Sequence, residues 1–182
     1  MIKRIYLVRH CEAEGQSIQS PLTLDGMKQS EHLCDFFSNI SIQKIISSPF
    51  LRAVQTIKPL SKKLDIEIEV DKRLSERTLS SKNLPDWFDK LKATFEDMDL
   101  AFEGGESSSD ATQRIVNVLD SVLNENTNNI IIVTHGNILS LLIKKFDEHF
   151  GFEQWRNLSN PDVYLLTVSK EHHQIERLWE GN

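Results

Sequence analysis

The sequence predicts an α/β fold: a three-layer sandwich with a mostly parallel central sheet flanked by helices. Three observations lead there. Runs such as Ile5-Tyr6-Leu7-Val8 and Ile130-Ile131-Ile132-Val133 are continuously apolar, as in strands buried on both faces. Segments with apolar residues at helical spacing lie between such runs. Strand and helix alternate through most of the chain, and that order implies crossovers and parallel neighbours.

Taken in order, Ile2 to Val8 reads as a central strand. Asp25-Gly26 opens a helix with Met27, Leu33, Cys34, Phe36 and Phe37 as its apolar positions. Lys44 to Ser47 reads as the second strand. Ser48-Pro49 follows as a helix start, with Ser as N-cap and Pro at the first helical position. Leu51, Val54, Ile57 and Leu60 continue that helix, and Pro59 is expected to kink or shorten it. Ile66 to Val70 alternates and suggests a half-buried strand. Residues 71–106 are the least regular, with a short helix within Pro85 to Phe95 and a turn at Glu103-Gly104-Gly105-Glu106. Ser107 to Asn124 is a helix with Ile115, Val116, Val118, Leu119, Val122 and Leu123 on one face. A strand over Ile130 to Thr134 precedes a helix over Ile138 to Phe146. Val163 to Val168 and Gln174 to Trp179 close the fold as a hairpin.

The chain has 182 residues, which suits a single domain over 1–182, with residues 77–106 as an insertion or cap beside the site. The net charge of -6 argues against nucleic acid as a partner, since such binding needs a basic surface. Neither Cys11 nor Cys34 has a CxxC partner, so a disulfide framework and a cysteine zinc site are not expected. The apolar runs are too short for a signal-peptide core or a membrane span. A cytoplasmic protein without a membrane partner is the expectation.

Ligands of open α/β sheets bind beyond the carboxyl ends of the strands. Arg9-His10-Cys11-Glu12 follows the first strand, and Thr134-His135-Gly136-Asn137 follows the strand at 130–133. Ser48-Pro49 with Arg52, and Arg73-Leu74-Ser75-Glu76, follow two others. A lone His or Arg at a strand end is usually a surface or capping residue. Two histidines directly after apolar strands, with Arg9 and Arg52, instead make a local positive site in an acidic chain. An anionic, oxygen-rich ligand suits it, most simply phosphate. A helix starting near Gly136 would add N–H donors.

Leu7-Val8-Arg9-His10-Cys11-Glu12-Ala13 resembles the L-V-R-H-G-E-[TA] signature of the histidine phosphatase superfamily, in its phosphoglycerate mutase-like branch. Pro21 to Gln29, Ser47 to Thr56, Asp71 to Glu76, Gly104 to Ser107 and Val133 to Gly136 resemble further motifs of that family in the same order. The resemblance implies a phosphoglycerate mutase-like sandwich and roles for particular residues. His10 would be the nucleophile that becomes phosphohistidine, Arg9, Arg52 and His135 would hold the phosphate oxygens, and Glu76 would protonate the leaving group. Catalytic His10, Glu76 and His135 and substrate-binding Arg9, Arg52, Gln16, Gly136 and Asn137 form the expected set. No cofactor and no metal are expected, because the Arg/His cluster supplies the positive charge. Adjacent guanidiniums would keep His10 neutral, as attack requires.

Three departures stand out. Cys11 occupies the family's glycine position, where a side chain is expected to crowd the phosphate or demand a different backbone angle. Gln16 stands where relatives often have Asn, and residues 77–80 do not follow the family's continuation. Glu106 is therefore a second candidate acid, although its Gly-Gly-Glu-Ser context suits a structural carboxylate. Other phosphatase chemistries lack their motifs. Ser17 and Ile40 stand where a cysteine phosphatase needs Arg, and no P-loop is present. The expected activity is hydrolysis of a small phosphomonoester by a monomer or homodimer. The alternatives are a phosphoglycerate-type phosphomutase or a noncatalytic phospho-ligand-binding domain. Trp87, Phe88, Phe95 and Phe102 would either cap the pocket or belong to the core.

Overall fold

A computed structural model describes residues 2–179. Its sheet has six strands in the order β3-β2-β4-β1-β5-β6. They are β1 (Lys3–Arg9), β2 (Lys44–Ser47), β3 (Ile68–Val70), β4 (Asn129–Thr134), β5 (Asp162–Val168) and β6 (His173–Arg177). β1 pairs parallel with β4, and β2 pairs parallel with both β4 and β3. β5 lies antiparallel beside β1 and forms a hairpin with β6. The four parallel strands therefore end at one edge of the sheet.

The helices are α1 (Leu24–Phe36), α2 (Leu51–Leu64), α3 (Trp87–Glu96), α4 (Ser108–Leu123), α5 (Gly136–Lys144) and α6 (Phe152–Arg156). The continuous apolar runs have a direct explanation here. Side chains alternate across a strand, so Ile5, Leu7, Ile130 and Ile132 face one core with Ile115, Leu119 and Leu142. Tyr6, Val8, Ile131 and Val133 face the other, with Leu33, Phe37, Ile57 and Leu60. Both faces are covered, so neither can be polar.

Several local expectations are corrected. α2 begins at Leu51 after an N-cap at Phe50 with no side-chain bond, so Ser48 is not its cap. Pro59 neither shortens nor ends α2, which runs on to Leu64. Met27 is 47% exposed, because α1 packs through Gly26, Ser30, Leu33 and Cys34. α5 begins at Gly136 rather than Ile138. The five-residue α6 carries no long apolar period and was not expected.

The 77–106 segment is tied to itself and to α6. The buried Arg77 donates from Nε to the Glu106 carbonyl (3.0 Å) and from Nη1 to Thr94 Oγ1 (2.7 Å). Ser81 N donates to the Glu103 carbonyl, and Glu106 N to that of Thr78. Gly104 has φ 67°, and a Cβ on Gly105 would stand 2.1 Å from the Leu79 carbonyl oxygen, so these glycines permit the turn. Phe88 and Phe95 pack edge-on against Phe152 of α6 at 5.1 and 5.9 Å.

Candidate active site

Arg9, His10, Glu76 and Gly136 converge at the carboxyl edge of the parallel strands, around a pocket of about 130 Å3. Glu12, Ala13, Gly15, Gln16 and Asn160 complete its lining. Larger depressions of about 240 Å3 beside Met27 and Pro59, and about 390 Å3 beside Lys3, contain no imidazole or guanidinium. The small polar pocket is where the chemistry gathers.

The protonation pattern of His10 follows from its partners. Its Nδ1 lies 2.6 Å from the Cys11 carbonyl, which can only accept, so Nδ1 carries the proton. Its Nε2 lies 3.1 Å from Arg52 Nε, which can only donate, so Nε2 carries the lone pair. Burial holds the His10 pKa down to about 3, and the Arg52 and Arg9 charges push the same way against the Cys11 bond. The ring is therefore neutral near pH 7, with Nε2 unprotonated. Asn160 Nδ2 donates to the His10 carbonyl at 2.7 Å and fixes the backbone there.

The two arginines are anchored with capacity to spare. Arg9 Nη1 donates to the carbonyls of Leu158 (2.9 Å) and Ser159 (3.3 Å). Its Nε is buried without a partner among the described residues. A Cβ on Gly136 would come within 3.1 Å of that Nε, so glycine lets the guanidinium lie against the start of α5. Arg52 is 1% exposed and donates from Nη1 to the carbonyls of Gln16 (3.2 Å) and Ser17 (2.8 Å). Its Cζ stands 4.8 Å from the Phe50 ring centroid. His135 is fully buried with its ring centroid 5.1 Å from that of His10. Burial first, then His10 and nearby arginines, hold its pKa well below the ordinary imidazole range.

The histidine phosphatase superfamily (branch 1) profile matches residues 5–180 of this chain. The chain belongs to the histidine phosphatase superfamily. A Hydrogenobacter thermophilus protein named "Putative phosphoserine phosphatase 2" is 28% identical over 158 residues, covering 78% of this chain and 77% of that one. The native structure of mycobacterial glucosyl-3-phosphoglycerate phosphatase superposes with a TM-score of 0.76 at 20% identity, over 97% of each chain. The α-ribazole phosphatase of Shigella flexneri does so with a TM-score of 0.76 at 20% identity, over 96% of this chain and 95% of that one. These likenesses establish the phosphoglycerate mutase-like fold, and the chain is an enzyme with phosphatase activity.

Within this histidine phosphatase, Glu76 sits at the pocket and its carboxylate is held by amides. Oε1 accepts from Arg77 N (2.8 Å) and Ile138 N (3.1 Å), and Oε2 accepts from Asn137 N (3.0 Å). The acid thus occupies the first turn of α5, where N–H groups lack helical partners. Glu106 stands outside the pocket lining. It forms a two-point pair with Arg114 at 2.7 and 2.8 Å, and Arg114 Nη1 holds the carbonyls of Arg73 (2.6 Å) and Ser75 (2.8 Å). Thr134 Oγ1 donates to the Leu74 carbonyl (2.7 Å) from the end of β4. Glu106 thereby braces the loop that carries Glu76.

Among the expected contacts, Gln16 lines the pocket, but the bond it makes to Arg52 uses its main-chain oxygen. Asn137 offers its amide N to Glu76, and its side chain does not line the pocket. Cys11 has an ordinary negative φ, since among the described residues only Asp65 and glycine take positive values. Its side chain is fully buried away from the pocket lining. Burial pushes its thiol up to about 12, so it remains protonated. The expected crowding by Cys11 does not arise. Sequence analysis missed Asn160 and Ser48, because each acts through one polar atom on a distant residue.

Proposed function

We propose that the chain hydrolyses a small, hydrophilic phosphomonoester through a phosphohistidine on His10 Nε2, without a metal ion. The observation that carries this reading is the assigned tautomer of His10: a neutral ring with its lone pair on Nε2, facing Arg52 and opening on a pocket with Arg9. Binding of the phosphoryl group exchanges the Arg52 Nε bond from the imidazole to a phosphate oxygen. The freed lone pair then attacks phosphorus in line with the departing oxygen. Arg9, Arg52 and His135 stabilise the charge spread over the equatorial oxygens. Glu76, which lines the pocket, relays the proton of the phosphomonoester monoanion to the leaving oxygen, and the carboxylate so regenerated takes a proton from water in the second step. The pocket of about 130 Å3 and its polar lining favour a compact polyhydroxyl or amino-alcohol phosphate over an aromatic ester.

The test is phosphate release from small aliphatic phosphomonoesters and p-nitrophenyl phosphate, in chelator, with wild type and His10→Ala. Turnover that survives chelator and disappears in the variant is expected, together with an acid-labile, base-stable phosphoenzyme in a rapid quench. Turnover retained by His10→Ala would overturn the assignment.

A further inference from the structure

Ser48 follows β2 directly and is completely buried. It does not cap α2, so its hydroxyl needs another explanation. Among the described residues Oγ has two polar neighbours: Phe50 N, which donates to it at 3.3 Å, and His135 Nε2 at 2.7 Å. A hydroxyl has one proton to give and two lone pairs to fill. Phe50 N–H takes a lone pair. If His135 Nε2 also donated, the hydroxyl proton would be buried with no acceptor, which is costly. Donation from Oγ to Nε2 satisfies all three groups.

We propose that Ser48 is a positioning residue that fixes His135 as its Nδ1–H tautomer and so presents Nδ1–H to the phosphoryl group. Nδ1 is buried and has no partner among the described residues. The imidazole packs edge-on against two rings, that of Phe50 at 4.6 Å and that of His10 at 5.1 Å. A phosphoryl oxygen on His10 is the acceptor this orphan N–H lacks. With the other tautomer, Nδ1 would turn a lone pair toward the anion. The inference rests on the reading that His10 carries the phosphoryl group, but its test reads the tautomer directly.

The test uses the intact protein labelled with 15N-histidine. Long-range proton–nitrogen spectra at pH 7 assign His135 by the loss of its signals in His135→Asn. In wild type, His135 Nδ1 is expected to be protonated and Nε2 bare. Inorganic phosphate is expected to bind Ser48→Ala about tenfold more weakly, as for loss of one hydrogen bond to an anion. Ser48→Thr keeps the hydroxyl and is expected to recover the tautomer and the affinity. A protonated Nε2 in wild type would overturn the proposal without any variant having to fold. So would unchanged phosphate affinity in folded Ser48→Ala. If instead His10→Ala turned over normally, the catalytic reading would fail while the measured tautomer stood.

Discussion

Strand β1 carries a cation near each end, and the two are used in opposite ways. Lys3 is 8% exposed and its ammonium donates to the carbonyls of Val122, Glu125 and Thr127. An ammonium has three protons, so Lys3 is saturated by the protein. It binds the end of α4 to the sheet and has nothing left for a ligand. Arg9 has five N–H donors, yet among the described residues only its Nη1 bonds protein oxygens, and its buried Nε has no partner there. A half-buried cation with unfilled donors suits an anion that comes and goes. A different contrast separates the glutamates: Glu106 is held on both oxygens by Arg114 outside the pocket lining, whereas Glu76 lines the pocket with both oxygens held by backbone N–H groups.

The comparison is sharpest where it predicts activity without stability, or the reverse. Arg9→Met should lower kcat/KM by about 10^3, as for loss of one preorganised donor to transition-state charge. Its unfolding free energy should change far less than that factor implies. Lys3→Met should do the converse. It removes the donor from three carbonyls and should cost about 2 kcal/mol in urea unfolding. Its kcat and KM should stay within a factor of two, and a tenfold fall in kcat would break the contrast.

Acid should weaken the site end of the sheet selectively. Burial holds the folded His10 pKa at about 3, below the ordinary imidazole value of about 6.5. Protons therefore bind the unfolded state first, so this stability is whole above pH 6.5 and is lost as pH falls toward the folded value. The loss from His10 alone is roughly 2 kcal/mol by pH 5. His135 shifts in the same direction. Urea midpoints at pH 7 and pH 5 should differ less in His10→Asn than in wild type. Parallel losses in the two proteins would show that His10 is not held neutral.

The smallest effect is expected at the brace. Arg114→Met frees the loop at Arg73 and Ser75 and loosens Glu76, so kcat should fall about fivefold with KM little changed, by the logic of losing an interaction made in the transition state. A change in KM alone would mean that the brace serves binding.

Much of this was legible before any coordinates. The continuous runs at 5–8 and 130–133 announced strands covered on both faces, and the apolar period announced α4 within a residue or so. That Arg9 and His10 would meet at one pocket, with Arg52 and His135 beside His10, was expected from their places after strands. Local reasoning failed where a residue answered to a distant partner. Ser48-Pro49 has the form of a helix cap, yet the hydroxyl serves His135, 87 positions away in sequence. Cys11 seemed a steric liability, yet its φ is ordinary and its side chain turns into the core.

By itself the sequence determined the alternation of strands and helices, the family, and the residue types gathered at the strand ends. Those depend on periodicity and on side chains next to one another in the chain. Only the tertiary structure decided which nitrogen of His10 holds its lone pair, that Glu76 rather than Glu106 meets the pocket, and which of Lys3 and Arg9 keeps free donors. Each is a question of hydrogen-bond partners from other strands, and buried polar groups take the partners that packing brings to them.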